Sequence, residues 1–156
     1  MQRRFWVAAL VSICFVANVC KADELKQVII VTRHGVRAPT WAPERLKQYS
    51  ASPWPDFGVP PGYLTTHGRQ LMTIIGGFYR DLFSKSRLLG APDCGDVKRT
   101  YFYADTDQRT LETARALTDG MLPGCATEVQ SKEPGASDEL FNAIEAGDCK
   151  AGCKDE

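Results

Sequence analysis

Lys26-Gln27-Val28-Ile29-Ile30-Val31-Thr32 runs without a break into Arg33-His34-Gly35-Val36-Arg37-Ala38-Pro39-Thr40. Val28 to Val31 are consecutive β-branched aliphatic residues, the pattern of a strand buried on both faces in a parallel sheet. The residues that follow are ionisable and make poor packing material. In open α/β sheets the carboxyl ends of strands are where ligands bind. The junction at Thr32–Arg33 therefore predicts a fold class and a site together.

Working outward, Leu64-Thr65-Thr66-His67-Gly68 opens a helix, with Thr65 or Thr66 as its N-cap. Leu71, Ile74, Ile75, Phe78, Tyr79 and Leu82 fall at helical spacing on one apolar face. His67, in the first turn, reads as a solvated residue with no partner to give it work. Arg99 to Ala104 reads as a second strand, again ending in polar residues, Asp105-Thr106-Asp107-Gln108-Arg109-Thr110. A second helix follows, with Leu111, Ala114, Leu117 and Thr118 on one face and Gly120 as its stop. Strand and helix in alternation imply an α/β fold, a mostly parallel sheet flanked by helices. Between the first strand and the first helix, residues 39–61 form a long loop with six prolines and the aromatics Trp41, Tyr49, Trp54 and Phe57. That loop is either a cover over the core or a wall of a substrate site. After Cys125 the periodicity fades, leaving Leu140-Phe141-Asn142 as the main apolar group.

The 156 residues carry 19 Lys+Arg against 19 Asp+Glu, which excludes a nucleic-acid binder working through bulk positive charge. A hydrophobic content of 44% argues against disorder. Residues 1–22 have the three parts of a secretory signal peptide: basic Arg3-Arg4, the apolar run Phe5 to Ala17, and small residues before a cut after Ala22. The apolar run is shorter than the ~20 residues a membrane-spanning helix needs. The expectation is export to the periplasm or medium, with residues 23–156 as the mature chain and no membrane attachment after cleavage. That chain keeps Cys94, Cys125, Cys149 and Cys153, which in an exported protein read first as disulfides. Bridging Cys94 to Cys125 would close a loop around the second strand-helix unit. Cys149 and Cys153 have no second ligand pair, and the only histidines are His34 and His67, so no metal or other cofactor is expected. Two convincing strands are too few for a buried parallel sheet. The chain is therefore expected to be the front portion of a larger domain.

Arg33, His34 and Arg37 at one strand end and Arg109 at the other would converge on one sheet edge. Arginine's planar fork matches phosphate oxygens two at a time. The helix after Asp107 would add free backbone N–H groups and the positive end of its dipole. Cations around His34 disfavour a further positive charge, so its imidazole is expected to remain an unprotonated nucleophile. Such a group of residues suits attack on phosphorus through a phosphohistidine intermediate.

Arg33-His34-Gly35-Val36-Arg37-Ala38-Pro39-Thr40 resembles the signature of the histidine acid phosphatases, branch two of the histidine phosphatase superfamily, and of the bacterial periplasmic phytases and acid phosphatases in particular. The likeness continues through Gly62-Tyr63-Leu64-Thr65, Ala104 to Thr110, Pro123-Gly124-Cys125, Leu140-Phe141-Asn142 and Gly147-Asp148-Cys149. It implies the phosphoglycerate mutase-like fold, with His34 as nucleophile and Arg33, Arg37 and Arg109 binding the phosphoryl group. It also implies substrate contacts at Thr40 and Asp105, a Cys94–Cys125 disulfide, and a small phosphate monoester such as phytate or a sugar phosphate as substrate. Trp41 departs from the basic side chains phytases carry there. Glucose-1-phosphatases share the layout but usually read Arg-His-Asn-x-Arg. A larger departure is that this sequence has no downstream His-Asp pair, which in the family binds phosphate and protonates the leaving oxygen. Asp105 or Asp107 is a poor substitute, because neighbouring arginines favour the charged carboxylate, which has no proton to give. The alternatives are a phosphate-binding module without catalysis and a chain that does not fold alone.

Overall fold

The computed structural model describes residues 24–142. The signal-peptide reading of residues 1–22 and the cysteines at 149 and 153 lie outside the described residues. Two helices dominate: α2 over Thr66–Lys85 and α3 over Gln108–Met121, preceded by a one-turn helix α1 at Pro43–Leu46. Strands β1 (Phe102–Tyr103) and β2 (Val129–Gln130) pair in parallel, Phe102 opposite Val129 and Tyr103 opposite Gln130. The β1-α3-β2 order is the parallel crossover unit that alternating strand and helix signals imply.

Helix α2 starts where expected. Thr65 is its N-cap, and its hydroxyl accepts from the Gly68 N–H at 2.9 Å. Its buried face is not the expected one. Met72, Gly76 and Phe83 are buried, whereas Ile74, Phe78 and Leu82 are 68%, 61% and 46% exposed. The cause is the crossing with α3. A side chain at Gly76 would put a Cβ 2.3 Å from the Leu117 carbonyl oxygen, and one at Gly120 would put it 1.9 Å from that of Thr73. The glycines let the two backbones touch, and that contact chooses the face. Gly120 is consequently part of the crossing and not the stop; α3 runs on through Met121 with Leu122 as C-cap. Met72, Ala116 and Leu117 fill one side of the crossing. Phe83, Leu89, Met121 and Leu122 fill the other, with Phe102 and Cys125 packed against them. Arg69 clamps the pair through Glu112 at 2.6 Å and Asp119 at 2.7 Å.

Residues 26–32 form no strand, contrary to expectation. Ile29 and Val31 are 80% and 90% exposed while Val28 and Ile30 are 37% and 38% exposed. The alternation is that of a strand, but no ladder partner stands beside it among the described residues, and a strand exists only by pairing. The second expected strand is also shorter. Residues Gly95–Arg99 form a 3₁₀ turn, because the buried Asp96 carboxylate accepts from the N–H groups of Gly90 and Ala91 at 2.7 and 2.9 Å. Arg99 is drawn into the same turn by the Leu88 carbonyl at 2.8 Å. Only Phe102–Tyr103 remains for pairing, and its partner β2 carries no strand signal in the sequence. Cys94 and Cys125 are bonded, with Cα atoms 5.6 Å apart.

Candidate active site

His34 lies in the loop that joins residues 26–32 to the two helices, and several backbone hydrogen bonds hold that loop. Ala38 N–H donates to the Tyr63 carbonyl at 2.8 Å, and Thr65 N–H donates to that of Val36 at 2.9 Å. The Thr65 hydroxyl, already accepting from Gly68, donates to the Val36 carbonyl at 2.9 Å. Glycine fits position 35 closely: a Cβ would sit 2.8 Å from Met72 Cγ and 3.2 Å from the Gly68 carbonyl oxygen, so a side chain there requires Met72 to move. That explains Arg-His-Gly as packing against α2 as well as chemistry.

The imidazole is oriented by its own neighbour. His34 Nδ1 lies 2.8 Å from the Gly35 carbonyl oxygen. A carbonyl only accepts, so Nδ1 is the donor in this contact, and in the neutral ring the lone pair is then on Nε2. His34, Arg33 and Arg37 line one open depression of about 580 Å³, together with Pro39, Phe57 and the α2 residues Leu71, Met72 and Ile75. Its rim is cationic and its α2 wall apolar. Phe57 and Pro39 make the proline-rich loop part of that wall. The loop is folded on itself: the Arg45 guanidinium carbon lies 3.9 Å over the Trp41 ring, Tyr49 stacks on Trp41 at 5.4 Å, and Trp54 Nε1 donates to the Leu46 carbonyl at 2.8 Å.

Arg109 does not line the depression; it stands at the start of α3. It pairs with Asp107 at 2.5 Å, and not with Asp105. Its Nε is buried and has no hydrogen-bond partner among the described residues. Asp107 is the α3 N-cap residue without a side-chain cap bond, since its carboxylate turns to Arg109. Asp105 accepts from Thr106 N–H at 2.9 Å and from Asn142 Nδ2 at 3.4 Å. Thr40 is exposed, beside Gly62. Sequence reading passes over two residues that tie these parts together. Gln108 Oε1 accepts from Leu64 N–H at 2.9 Å, and the Thr113 hydroxyl accepts from Gly35 N–H at 3.0 Å. The available signal was a threonine one turn after Arg109 on an otherwise small and apolar helix face. Among the described residues no three His, Cys, Asp or Glu side chains are grouped to hold a metal ion.

Residues 24–152 match the model of the histidine phosphatase superfamily, branch 2. The chain belongs to that family. Phytase AppA of Escherichia coli K12 is 35% identical over 128 residues, covering 81% of this chain and 30% of that protein. Glucose-1-phosphatase of Providencia rettgeri is 33% identical over 122 residues, covering 77% and 29%. Among solved structures, the apo form of Hafnia alvei phytase gives a TM-score of 0.69 at 35% identity, over 77% of this chain and 30% of that one. The same phytase with myo-inositol hexakis sulphate gives 0.67 at 37% identity, over 74% and 29%. The histidine phosphatase fold is therefore the architecture here, and this chain spans about 30% of the length of these relatives.

Proposed function

We propose that this chain carries the phosphoryl-accepting half of an exported acid phosphatase of phytase type, acting on small phosphate monoesters. The observation that carries the reading is the His34 ring: Nδ1 committed to the Gly35 carbonyl at 2.8 Å, Nε2 free, with Arg33 and Arg37 around the same depression. In the proposed step Nε2 attacks phosphorus, the P–O ester bond breaks, and the leaving oxygen departs as an anion that takes a proton from solvent water. Water then cleaves the P–N bond, releasing phosphate and restoring the imidazole. Arg33 and Arg37, which line the depression, neutralise the charge on the non-bridging oxygens, and Arg109 is proposed to reach the same group from the start of α3, outside that lining. Among the described residues the buried Arg109 Nε–H has no acceptor, and an oxyanion reaching the start of α3 would supply one.

A polyol or sugar phosphate is the proposed substrate class, by likeness to the phytases and glucose-1-phosphatase above. Arg45, stacked over Trp41, returns a cation to the neighbourhood where the aromatic ring replaced one. Thr40 and Asp105 are the proposed substrate contacts. Export is supported by the signal-peptide pattern of residues 1–22 and by a disulfide in the described residues.

The test is hydrolysis of p-nitrophenyl phosphate near pH 5 by the chain and by His34→Ala, with acid quenching to trap a phosphohistidine. Turnover and a trapped adduct that both vanish in His34→Ala support the reading; turnover that survives sinks it. A second reading, phosphate binding without catalysis, is favoured by the lack of a His-Asp pair in the sequence. It predicts a melting point raised by inorganic phosphate and no turnover in either protein.

A further inference from the structure

We infer that Thr113 is a positioning residue that sets the distance between the His34 loop and the Arg109 turn; this rests on the reading of His34 and Arg109 just given. Thr113 is 4% exposed and sits inside α3, one turn beyond Arg109. A hydroxyl has one proton to give and two lone pairs. The proton goes to the Arg109 carbonyl at 2.7 Å, so a lone pair is left to receive the Gly35 N–H at 3.0 Å, from 78 residues away in the chain.

Gly35 is thereby held at both of its polar groups. Its N–H is fixed on α3 by Thr113, and its carbonyl fixes the His34 ring through Nδ1 at 2.8 Å. One hydroxyl thus joins the backbone beside His34 to the backbone of the arginine whose Nε has no partner among the described residues. Threonine bonding back to a carbonyl one turn earlier is ordinary in helices. Thr118 shows that ordinary case: it is 2% exposed and its hydroxyl donates to the Arg115 carbonyl at 2.8 Å, within its own helix. The cross-segment bond to Gly35 is what distinguishes Thr113. The Thr65 bonds to the Val36 carbonyl hold the loop on α2, whereas the Thr113 bond ties it to α3, the helix that carries Arg109. A misplacement of about 1 Å in a reacting site can cost a hundredfold.

The experiment compares the full chain with Thr113→Val, Thr113→Ser and Thr118→Val. Binding of inorganic phosphate is read by calorimetry, and exchange of the Gly35 amide by NMR. Thr113→Val is expected to weaken phosphate binding by about ten- to a hundredfold and to speed exchange of the Gly35 amide. Thr113→Ser, which keeps both bonds, is expected to restore both. Thr118→Val makes the same chemical change in the same helix and is expected to leave phosphate affinity as it is. Unchanged affinity in Thr113→Val overturns the inference, as does an equal loss in Thr118→Val at matched melting point. If Thr113→Val does not fold, Thr113→Ala removes the hydroxyl without added bulk and carries the same comparison. If the unsubstituted chain binds no phosphate, the functional reading fails and this one with it; binding that is indifferent to Thr113 fails this one alone.

Discussion

Gly120 lies so close to Thr73 that a Cβ built on it would fall 1.9 Å from the Thr73 carbonyl oxygen. The crossing of α2 and α3 is set by this contact and its counterpart at Gly76, and the site inherits its geometry from the crossing. The His34 loop packs on α2, while Arg109 and Thr113 ride on α3. Gly120→Ala is expected to force the helices apart and to cost about 1–3 kcal/mol, the range of an overpacked core. Gly77, next to Gly76 on α2, has nothing within 4 Å of its Cβ position. Gly77→Ala is expected to stabilise by about 0.5–1 kcal/mol through helix propensity alone. Urea melts of the two variants check the contrast; equal effects would mean the helices do not touch there.

The Tyr103–Asp138 pair makes stability depend on pH at both extremes. Asp138, 2% exposed, accepts from the Tyr103 hydroxyl at 2.5 Å and from Leu140 N–H at 3.0 Å, with Lys132 at 3.7 Å. The Tyr103 bond, ahead of Leu140 N–H and Lys132, holds its carboxyl below the ordinary 3.8, against burial, which pushes upward. The same bond, with burial second, pushes Tyr103 up to about 12. A lowered carboxyl contributes stability above its unfolded value and loses it as pH falls through the folded one. A raised phenol contributes below its unfolded value and loses it as pH rises through about 12. Tyr103→Phe is expected to lower the melting point by a constant amount between about pH 5 and 9, with the gap closing below about pH 4 and above about pH 10. A gap that persists at about pH 2 would mean the pair contributes by packing alone.

The parts of the molecule legible in its sequence are those written in local chemistry. The Thr65 cap, the extent of α2 and the Arg33-His34-Gly35 cluster all follow from neighbours within a few positions. The apolar periodicity of Leu71 to Leu82 marks the helix, but the face it picks out is not the one that is buried. Here the glycine contact buries Met72 and Gly76 and leaves Ile74 and Phe78 outside. The same holds for Val28 to Val31, whose composition asks for sheet neighbours that the described residues do not include. Strand β2 was illegible because two residues, Val129 and Gln130, pair only by virtue of the α3 crossover. Thr113 was illegible because its function depends on a bond 78 residues long in sequence.

Cys94 and Cys125 enclose the 3₁₀ turn, β1 and α3, so their bond holds the segment that carries Arg109 and Thr113. A cross-link over 31 residues is worth about 3–4 kcal/mol if its effect lies in the unfolded chain. Cys94→Ser with Cys125→Ser is expected to reduce stability by that amount, and dithiothreitol to do the same to the unsubstituted chain. Chemical denaturation with and without reductant gives the number. A loss well under 1 kcal/mol would place this segment's stability in the α2–α3 packing instead.

The lack of a His-Asp pair has a consequence for substrate dependence that can be measured directly. A nucleophile aided by arginines expels a good leaving group unaided, but an alkoxide leaves slowly without a proton donor. Leaving-group protonation is typically worth 10²–10⁴-fold. If the chain turns over, p-nitrophenyl phosphate is expected to be cleaved faster than glycerol phosphate by about that factor. Across a series of aryl phosphates the rate should fall steeply as the leaving phenol becomes more basic, since nothing offsets the charge on its oxygen. Dephosphorylation of the trapped phosphohistidine does not depend on the departed alcohol, so its rate should be the same for every substrate. A shallow dependence, with alkyl and aryl esters cleaved alike, would mean that a proton donor reaches the leaving oxygen from within this chain. Asp105→Asn and Asp107→Asn would then be the variants to compare, because both carboxylates stand at the turn that carries Arg109.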